Sequence, residues 1–330
     1  MNPQPRMIDS TGRDLSYLRV SLTDRCNLKC LYCDPHPGND PASENALPRE
    51  RILELLRAFA WLGVDKIRFT GGEPLLRRDI VDIVRDAGQI DGVRLIGITT
   101  NGLLLAEKLD GLIAAGINRL NVSLDTLRRT TFKKLTGVDG LERVTSVIQA
   151  AALTGAFPRV KVNTVALRGI NDHEAPALTE WALDIGLDIR FIEFMPARHA
   201  ESTKELFVGE EDIRERIKLP LEPAGDSLHN DGPARTFFVP GRPGRVSFIS
   251  AVTESFCEGC NRLRLTSTGI LRGCLFGTSS FDCRPLLGQG LATKAIAEVI
   301  ASHATSSSFR AQPFTESSLS TRPSMRGIGG

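Results

Sequence analysis

Short apolar runs rich in β-branched residues alternate with helical patterns over the first two thirds of the chain, and this alternation limits the possible folds most strongly. The strand-like runs are residues 17–22, 66–70, 94–99, 118–124, 160–166 and 188–194. Helical spacing of apolar residues is found at 50–62, 78–88, 105–116, 139–155 and 174–186. Repeated strand–helix units require parallel strands joined by right-handed crossovers. The sequence therefore predicts an α/β fold, either a barrel or an open sheet.

The chain changes character after about residue 222, where proline and glycine become frequent. Strand-like pieces at 235–239 and 245–250 follow in this region. We therefore predict two domains, residues 1–222 and residues 223–330. Residues 302–325 are dense in serine and threonine, which predicts a partly ordered tail.

Charge and hydropathy exclude some classes of protein. Among 330 residues, 41 Lys and Arg face 39 Asp and Glu, a net charge of +2, whereas holding a nucleic-acid backbone usually takes a clustered basic excess. No uncharged apolar run approaches the roughly 18 residues that a membrane span needs, and the first ten residues lack the apolar core of a secretory signal. We expect a cytoplasmic protein that binds neither nucleic acid nor membrane, and the absence of an Arg- and Ser-rich start favours a prokaryotic one.

Several strands alternate apolar and polar residues, although parallel strands covered on both faces are usually apolar throughout. In residues 17–22, Leu18 and Val20 alternate with Tyr17, Arg19 and Ser21, and the other examples are 66–70, 118–124 and 160–164. Because strand side chains have a period of two, one face is apolar and the other polar. Helices must cover the apolar face, so the polar face is expected to line the inside of the sheet.

Three cations on those polar faces, Arg19, Arg68 and Lys161, are then expected to converge in the lumen. Like charges brought together away from water are costly unless a ligand neutralises them. A multiply charged anion such as a polyphosphate would do so. The alternative is that some of these strands lie at edges, with their cations in solvent.

Short motifs follow the ends of the same strands: TGGEP (70–74), TTNG (99–102), SLD (123–125) and FMP (194–196). The loops at the carboxyl ends of parallel strands build the active sites of α/β folds. Gly71 and Gly72 are expected to let the backbone approach a ligand closely, and Glu73 to place a carboxylate beside it.

Six of the seven cysteines fall into two tight groups. Cys26, Cys30 and Cys33 stand as CNLKCLYC directly after the first strand. Clustering of this kind favours metal ligation over disulfides. Three thiolates at this spacing can hold an iron–sulfur cube with one iron open, whereas structural zinc prefers a closed set of four ligands. Zinc is the less favoured alternative.

The second group, FCEGCNRLRLTSTGILRGCLF, contains Cys257, Cys260 and Cys274 with Arg262 and Arg264 between them. It again supplies three thiolates, and zinc with a fourth ligand is an equal alternative on spacing alone. Cys283 fits neither group, and the five histidines have no metal-binding spacing.

CNLKCLYC followed by TGGEP resembles the radical S-adenosylmethionine superfamily, and the second cysteine group resembles the auxiliary cluster site of a GTP-cyclising family within it. The likeness extends from about residue 13 to the last residue. It implies an incomplete, six-unit parallel β/α barrel whose mouth is closed by a smaller C-terminal α+β cluster-binding domain. It also implies a lyase that converts GTP to (8S)-3′,8-cyclo-7,8-dihydroguanosine 5′-triphosphate, the first step of molybdenum cofactor biosynthesis.

The resemblance assigns a role to each matching position. Cys26, Cys30 and Cys33 would hold one [4Fe–4S] cluster, and Cys257, Cys260 and Cys274 a second whose open iron faces the guanine. The residues matching S-adenosylmethionine contacts are Tyr32, Gly72, Ser123 and Met195. The residues matching GTP contacts are Arg19, Arg68, Thr99, Lys161, Arg262 and Arg264. In the family, an electron from the first cluster cleaves S-adenosylmethionine to a 5′-deoxyadenosyl radical, which takes the ribose 3′ hydrogen, and the carbon radical then attacks C8.

The resemblance also implies partners and a role for the chain end. Gly329 and Gly330 match a terminal double glycine that reaches into the active site, while a frayed terminus is the ordinary alternative. The expected partners are a flavodoxin- or ferredoxin-type electron donor and a downstream cyclic pyranopterin monophosphate synthase, and the enzyme is expected to be a monomer or homodimer. The rival interpretations are a peptide-modifying radical maturase and a zinc-bound structural protein.

Overall fold

The structure is a computed structural model that describes residues 5–33, 45–195, 204–225, 232–254 and 256–309. In these ranges one mixed sheet runs through the molecule. Its strands are β1 (Tyr17–Ser21), β2 (Lys66–Thr70), β3 (Leu95–Thr100), β4 (Arg119–Ser123), β5 (Val160–Ala166), β6 (Asp188–Glu193), β7 (Glu222–Pro223), β8 (Arg235–Phe238), β9 (Arg245–Ile249), β10 (Arg262–Leu265), β11 (Ile270–Arg272) and β12 (Ser280–Asp282). The helices are α1 (Arg49–Trp61), α2 (Ile80–Gly88), α3 (Leu105–Ala114), α4 (Arg129–Thr136), α5 (Leu141–Leu153), α6 (Ala175–Asp184), α7 (Glu210–Ile217) and α8 (Thr293–Ala304).

Strands β1 to β6 lie side by side in chain order, and each pairs in parallel with the next. The predicted strand–helix units and the α/β class are therefore confirmed. Residues such as Leu18, Val20, Ile67 and Phe69 on the apolar face are fully buried under the helices. The opposite face of the same strands carries the polar residues.

Helix α1 illustrates how the sequence produces this covering layer. It begins after Pro48, whose fixed φ and missing N–H suit a helix start. Ile52, Leu55, Leu56 and Phe59 recur at helical spacing and are all buried. Their stripe faces the sheet, while the charged residues of α1 face outward.

The C-terminal third extends the same sheet at both ends. β10 pairs in parallel with β1, and β9 pairs in parallel with β6, so two further parallel strands flank the six predicted ones. The antiparallel strands β11 and β12 lie beyond β10, and β8 and β7 lie beyond β9. The predicted pieces at 235–239 and 245–250 correspond to β8 and β9.

The start of the Ser- and Thr-rich segment is folded. Helix α8 runs to Ala304 and packs against α1, and a single 3-10 turn over Ser307–Phe309 follows. The backbone of buried Phe309 lies so close to Gly273 that a methyl group there would be 1.9 Å from its carbonyl oxygen. Buried apolar residues such as Ile300 and Phe309 anchor this part of the polar segment. None of the helices in the described ranges is both long and apolar enough to cross a bilayer.

Candidate active site

The loop after β1 places Cys26, Cys30 and Cys33 on the wall of one cavity of about 1180 Å³ at the carboxyl end of the sheet. This loop lies against the last turn of α4. The amides of Lys29 and Leu31 donate to the carbonyl oxygens of residues 136 and 135, at 2.8 and 2.9 Å. No disulfide joins any cysteines in the described part of the chain. The first cysteine group therefore forms a partly buried set of three thiols.

Gly71 and Gly72 were predicted to let the backbone approach a ligand, but their closest contacts are with the loop after β1. A methyl group on Gly71 would lie 2.4 Å from the carbonyl oxygen of Thr23, and one on Gly72 would lie 2.3 Å from that of Arg25. The amide of Gly72 also donates to the Thr23 carbonyl at 2.7 Å. The close approach that these glycines permit is thus to the loop that leads into Cys26, although both glycines also line the cavity.

Glu73 is fully buried and joins the ends of β2 and β3. One carboxylate oxygen accepts from the Leu75 amide at 3.0 Å and the Thr100 hydroxyl at 2.7 Å, and the other accepts from the Asn101 amide at 2.8 Å. Burial raises the pKa of Glu73 to about 7, although these three hydrogen bonds act to lower it. The expected carboxylate beside a ligand does line the cavity, but both of its oxygens are engaged by protein donors.

All of the positions predicted to contact S-adenosylmethionine line this same cavity. These positions are Tyr32, Gly72, Ser123 and Met195. The Tyr32 hydroxyl donates to Asp125 at 2.6 Å, and burial raises the pKa of both groups, that of Asp125 to about 6. Asn101 donates to Asn27 at 2.8 Å and approaches the Cys26 sulfur at 3.8 Å. Asp125 and Asn101 support the cysteine loop, and they belong to the SLD and TTNG motifs that were predicted at this edge of the sheet without individual roles.

A second cavity, of about 1270 Å³, occupies the inside of the sheet. Eight cationic side chains line it, and among the described residues no Asp or Glu does. The cations are Arg19, Lys66, Arg68, Arg119, Lys161, Arg190, Arg262 and Arg264. The predicted convergence of Arg19, Arg68 and Lys161 is thus observed, and the edge-strand alternative is wrong for these three.

Strand register brings three of the arginines to one level. Arg264 of β10 pairs with Arg19 of β1, which in turn pairs with Arg68 of β2. Arg68 and Arg264 are only 7% and 5% exposed. Burial and the neighbouring cations lower the pKa of Arg19 to about 10 and that of Arg264 to about 9, so both remain charged at neutral pH. Such a cluster is stabilised by a multiply charged anion.

Cys257, Cys260 and Cys274 line the cationic cavity. The Arg262 side chain donates to the Cys260 sulfur at 3.3 Å and stacks its guanidinium 5.1 Å from the centre of the Phe256 ring. Burial raises the pKa of the Cys260 thiol, but Arg262 and Arg264 lower it by more. Cationic neighbours of this kind favour the thiolate, which is the metal-binding form.

The two cavities adjoin. Thr99, Asn163, Ile192 and Met195 line both. Since Thr99 and Met195 were predicted to contact different molecules, their shared position places the two predicted binding regions next to each other. A small molecule in one cavity can therefore lie against a molecule in the other.

For three of the cationic residues that line this cavity, the sequence predicted no role. They are Lys66, Arg119 and Arg190. Lys66 and Arg119 stand on polar strand faces that the alternation identified. Arg190 could have been found by applying the same period-two argument to residues 188–194, where Ile189 and Phe191 are buried under the helices.

The remaining predicted positions are the chain end and Cys283. Gly329 and Gly330 lie outside the described residues. Cys283 is fully buried and lines neither cavity. Among the described residues, no three His, Cys, Asp or Glu side chains converge as ligands of a single metal ion. Three thiols on one cavity wall nevertheless supply the donor chemistry of an iron–sulfur cluster, which spreads its ligands over several irons.

Comparisons with known proteins agree with this arrangement. Residues 20–182 match the Radical SAM superfamily and residues 187–310 match the Molybdenum Cofactor Synthesis C family. The chain is 43% identical over 284 residues to a GTP 3′,8-cyclase of Geobacter sulfurreducens, covering 85% of this chain and 86% of that protein. It is 41% identical over 302 residues to a GTP 3′,8-cyclase of Thermodesulfovibrio yellowstonii, covering 89% and 92%.

A solved structure shares the fold. SuiB of Streptococcus suis, crystallised with its precursor peptide SuiA, superposes with a TM-score of 0.59 at 17% identity, covering 84% of this chain and 62% of that one. This likeness concerns the fold alone. Superfamily membership implies an iron–sulfur cluster and S-adenosylmethionine, which fit the cysteine-lined cavity. The chain belongs to the GTP 3′,8-cyclase family of the radical S-adenosylmethionine superfamily.

Proposed function

We propose that the protein converts GTP, with S-adenosylmethionine, to (8S)-3′,8-cyclo-7,8-dihydroguanosine 5′-triphosphate, the first step of molybdenum cofactor biosynthesis. The observation that carries this proposal is a buried cavity lined by eight cations and no carboxylate of the described chain, adjoining a second cavity lined by three cysteines. A nucleoside triphosphate would bring negative charge to these cations, which no Asp or Glu of the described cavity lining does.

The cysteine-lined cavity is the proposed site of radical generation. Cys26, Cys30 and Cys33 would hold a [4Fe–4S] cluster, which when bound supplies the electron that cleaves S-adenosylmethionine. Tyr32, Gly72, Ser123 and Met195 would bind the cofactor, and Met195 also lines the neighbouring cavity. A mostly apolar wall, formed by residues such as Leu28, Phe132, Val165 and Phe194, would limit water around the bound cofactor.

The cationic cavity is the proposed GTP site. Arg19, Arg68 and Lys161 would bind the triphosphate, and Thr99, at the junction of the cavities, the ribose side. Arg262 and Arg264 lie beside Cys257, Cys260 and Cys274, which would hold a second [4Fe–4S] cluster near the guanine. Arginine suits this role because its planar fork binds phosphate and base edges in fixed geometry.

An exposed basic surface beside the first cysteine group suits an acidic electron donor. Lys29, Lys133 and Lys134 are exposed, and Leu31 between the cysteines is 41% exposed. The backbone bonds from the cysteine loop to α4 place these residues together. We expect a flavodoxin- or ferredoxin-type protein here, and Lys133→Glu with Lys134→Glu should slow reduction by such a donor while leaving reduction by dithionite unchanged.

The proposed reaction also implies a partner enzyme that takes the product. The cyclised triphosphate would be passed to a cyclic pyranopterin monophosphate synthase. We expect the enzyme to act in the cytoplasm, as a monomer or homodimer.

The decisive experiment is anaerobic incubation of the reconstituted, reduced protein with S-adenosylmethionine and each nucleoside triphosphate in turn. GTP should stimulate 5′-deoxyadenosine formation and give a cyclised product, and the other triphosphates should not. Iron and sulfide analysis should give about eight of each per chain, as two four-iron clusters require. Zinc without iron, or no response to GTP, would contradict the proposal.

Two variants test the assigned residues. Arg262→Ala with Arg264→Ala should keep the full iron content and lose GTP-dependent turnover. Arg242→Ala is the matched control, since Arg242 pairs with Glu180 and Asp184 on the outer surface. Deleting Gly329 and Gly330 should likewise lower turnover with iron content unchanged, and full turnover would make the terminus dispensable.

A further inference from the structure

Tyr17 stands inside the cationic cavity, and neither the sequence analysis nor the proposed function gives it a role. It lies at the start of β1, is 6% exposed, and lines the cavity together with the eight cations. Among the described residues that line the cavity, Tyr17 and the three cysteines are the only groups that become anionic on losing a proton.

Tyr17 fixes the position of Arg68. Arg68 Nε donates to the Tyr17 hydroxyl at 2.7 Å, and Arg68 Nη1 donates to the carbonyl oxygen of Ile98 at 3.2 Å. The guanidinium lies over Gly97, where a methyl group would be 3.0 Å from Cζ. Arg68 is therefore held between Tyr17 on one side and β3 on the other.

Tyr17 also contacts Lys66. The Lys66 ammonium lies 4.6 Å from the centre of the Tyr17 ring. Lys66 and Tyr17 are register partners on β2 and β1, just as Tyr17 and Arg262 are on β1 and β10. One phenol thus touches two cations and lies beside a third.

The surroundings of Tyr17 are cationic on every strand that packs against it. Arg19 lies on its own strand, Lys66 and Arg68 on β2, and Arg262 and Arg264 on β10. Burial raises the pKa of the Tyr17 phenol, but Arg68, Arg19 and Lys66 lower it by more, to about 7. An added polyanion would reverse that balance.

We propose that Tyr17 is a positioning residue for the triphosphate: its hydroxyl, ionised while the cavity holds no nucleotide, orients Arg68 and Lys66, and it takes up one proton when GTP binds. The proposal rests on GTP being the ligand of this cavity. The proton moves from solvent to the Tyr17 oxygen as the triphosphate replaces the phenolate as counter-charge. The O–H bond of the phenol is the one bond that forms, solvent supplies its proton, and no electron is transferred.

Calorimetry of GTP binding tests the proton uptake. The reconstituted enzyme with S-adenosylmethionine and without reductant is titrated at pH 8 in two buffers of different ionisation enthalpy. Uptake should approach about one proton per GTP, and the affinity for GTP should fall about fivefold from pH 7 to pH 8, because binding that takes up a proton weakens as pH rises. This range lies below the pKa values of Arg264 and Arg19. Tyr17→Phe should abolish the uptake and flatten the pH dependence, while Arg242→Ala, on the outer surface, should retain both.

A spectroscopic measurement reports the protonation state of Tyr17 directly in the wild-type protein. The chain has two tyrosines, so the tyrosine resonance that is lost in Tyr17→Phe belongs to Tyr17. Its ring carbon Cζ, labelled with carbon-13, should resonate as phenolate at pH 8 without GTP and as phenol with GTP. A phenol resonance in both states, binding without proton uptake, or uptake that Tyr17→Phe retains would overturn the role of Tyr17. Failure of the wild-type protein to bind GTP would instead contradict the proposed function itself.

Discussion

At Gly72, the lack of a side chain allows the loop before Cys26 to lie against the end of β2. Gly72→Ala would place a methyl group 2.3 Å from the Arg25 carbonyl oxygen, and backbone cannot give way as a flexible side chain can. Overpacking of this kind costs about 1–3 kcal/mol or more. We expect a lower melting temperature and a loss of iron from the first cysteine group, measured by iron analysis and by electron paramagnetic resonance of the reduced protein.

Gly111→Ala provides the matched control for that change. Gly111 lies within α3, where a methyl group would meet Val81 at an ordinary contact distance of 3.4 Å. Alanine in a helix interior is favoured over glycine by about 0.5–1 kcal/mol. Equal iron loss in both variants would mean that the contact with Arg25 does not hold the cysteine loop.

Cys283 is expected to be a core residue and not a cluster ligand. It is fully buried, and burial raises the pKa of its thiol to about 12. A thiol with so little thiolate at neutral pH binds metal poorly and reacts slowly. Cys283→Ala should keep the full iron content and the turnover of the wild type, whereas Cys274→Ala should lose about half of the iron. Loss of iron in Cys283→Ala would make Cys283 a ligand.

The segment before β1 joins the two cysteine regions. Arg13 donates to the Cys260 carbonyl oxygen at 3.0 Å and to the Asp9 carboxylate at 2.7 Å, and both side chains are buried. Asp9 also accepts from the amide and hydroxyl of Thr11. This short element therefore ties the beginning of the chain to the loop that carries Cys257 and Cys260.

Asp9→Asn should destabilise the protein by about 3–5 kcal/mol, because it leaves the Arg13 charge buried without its partner. Burial alone would raise the pKa of Asp9, but the hydrogen bonds that its carboxylate accepts lower the pKa by more, to about 2. The carboxylate therefore stabilises the fold above about pH 4, and this contribution is lost as pH falls toward 2. Thermal melting of both proteins should show a difference at pH 7 that narrows on acidification. Asp14→Asn, which breaks an exposed pair with Arg6, should cost less than about 1 kcal/mol.

At the level of elements, the alternation of residues within a strand predicted which side chains share a face, but not which distant strands pair. The period-two alternation in β1, β2 and β5 identified three of the eight cations that line the cavity, because strand geometry fixes which face each residue occupies. The same patterns could not predict that β9 and β10 would pair with β6 and β1. Leu18 and Leu263 are register partners far apart in the chain, and no local signal specifies such a pair. The bond between Arg68 and Tyr17 depends on rotamers and was not predictable either.

At the scale of the whole molecule, one sheet passes through both predicted domains. β10 covers the edge of β1 and β9 covers the edge of β6, so the C-terminal third protects both edges of the six-unit core. Arg262 and Arg264 enter the cavity because β10 continues the sheet. The cationic cavity is therefore built jointly by the two parts of the chain.

A chain ending at residue 222 should consequently fail to fold as a soluble unit. Removing β9 and β10 exposes two long strand edges, which promote aggregation, and uncovers buried residues such as Phe191 and Leu18. A chain ending at residue 309 keeps every described element and is the matched control. Solubility, circular dichroism and iron content should be near those of the full chain for the longer fragment and lost for the shorter. A soluble, cooperatively melting 1–222 fragment with four irons would instead establish two independent domains, because the core would then not need the strands that complete its cavity.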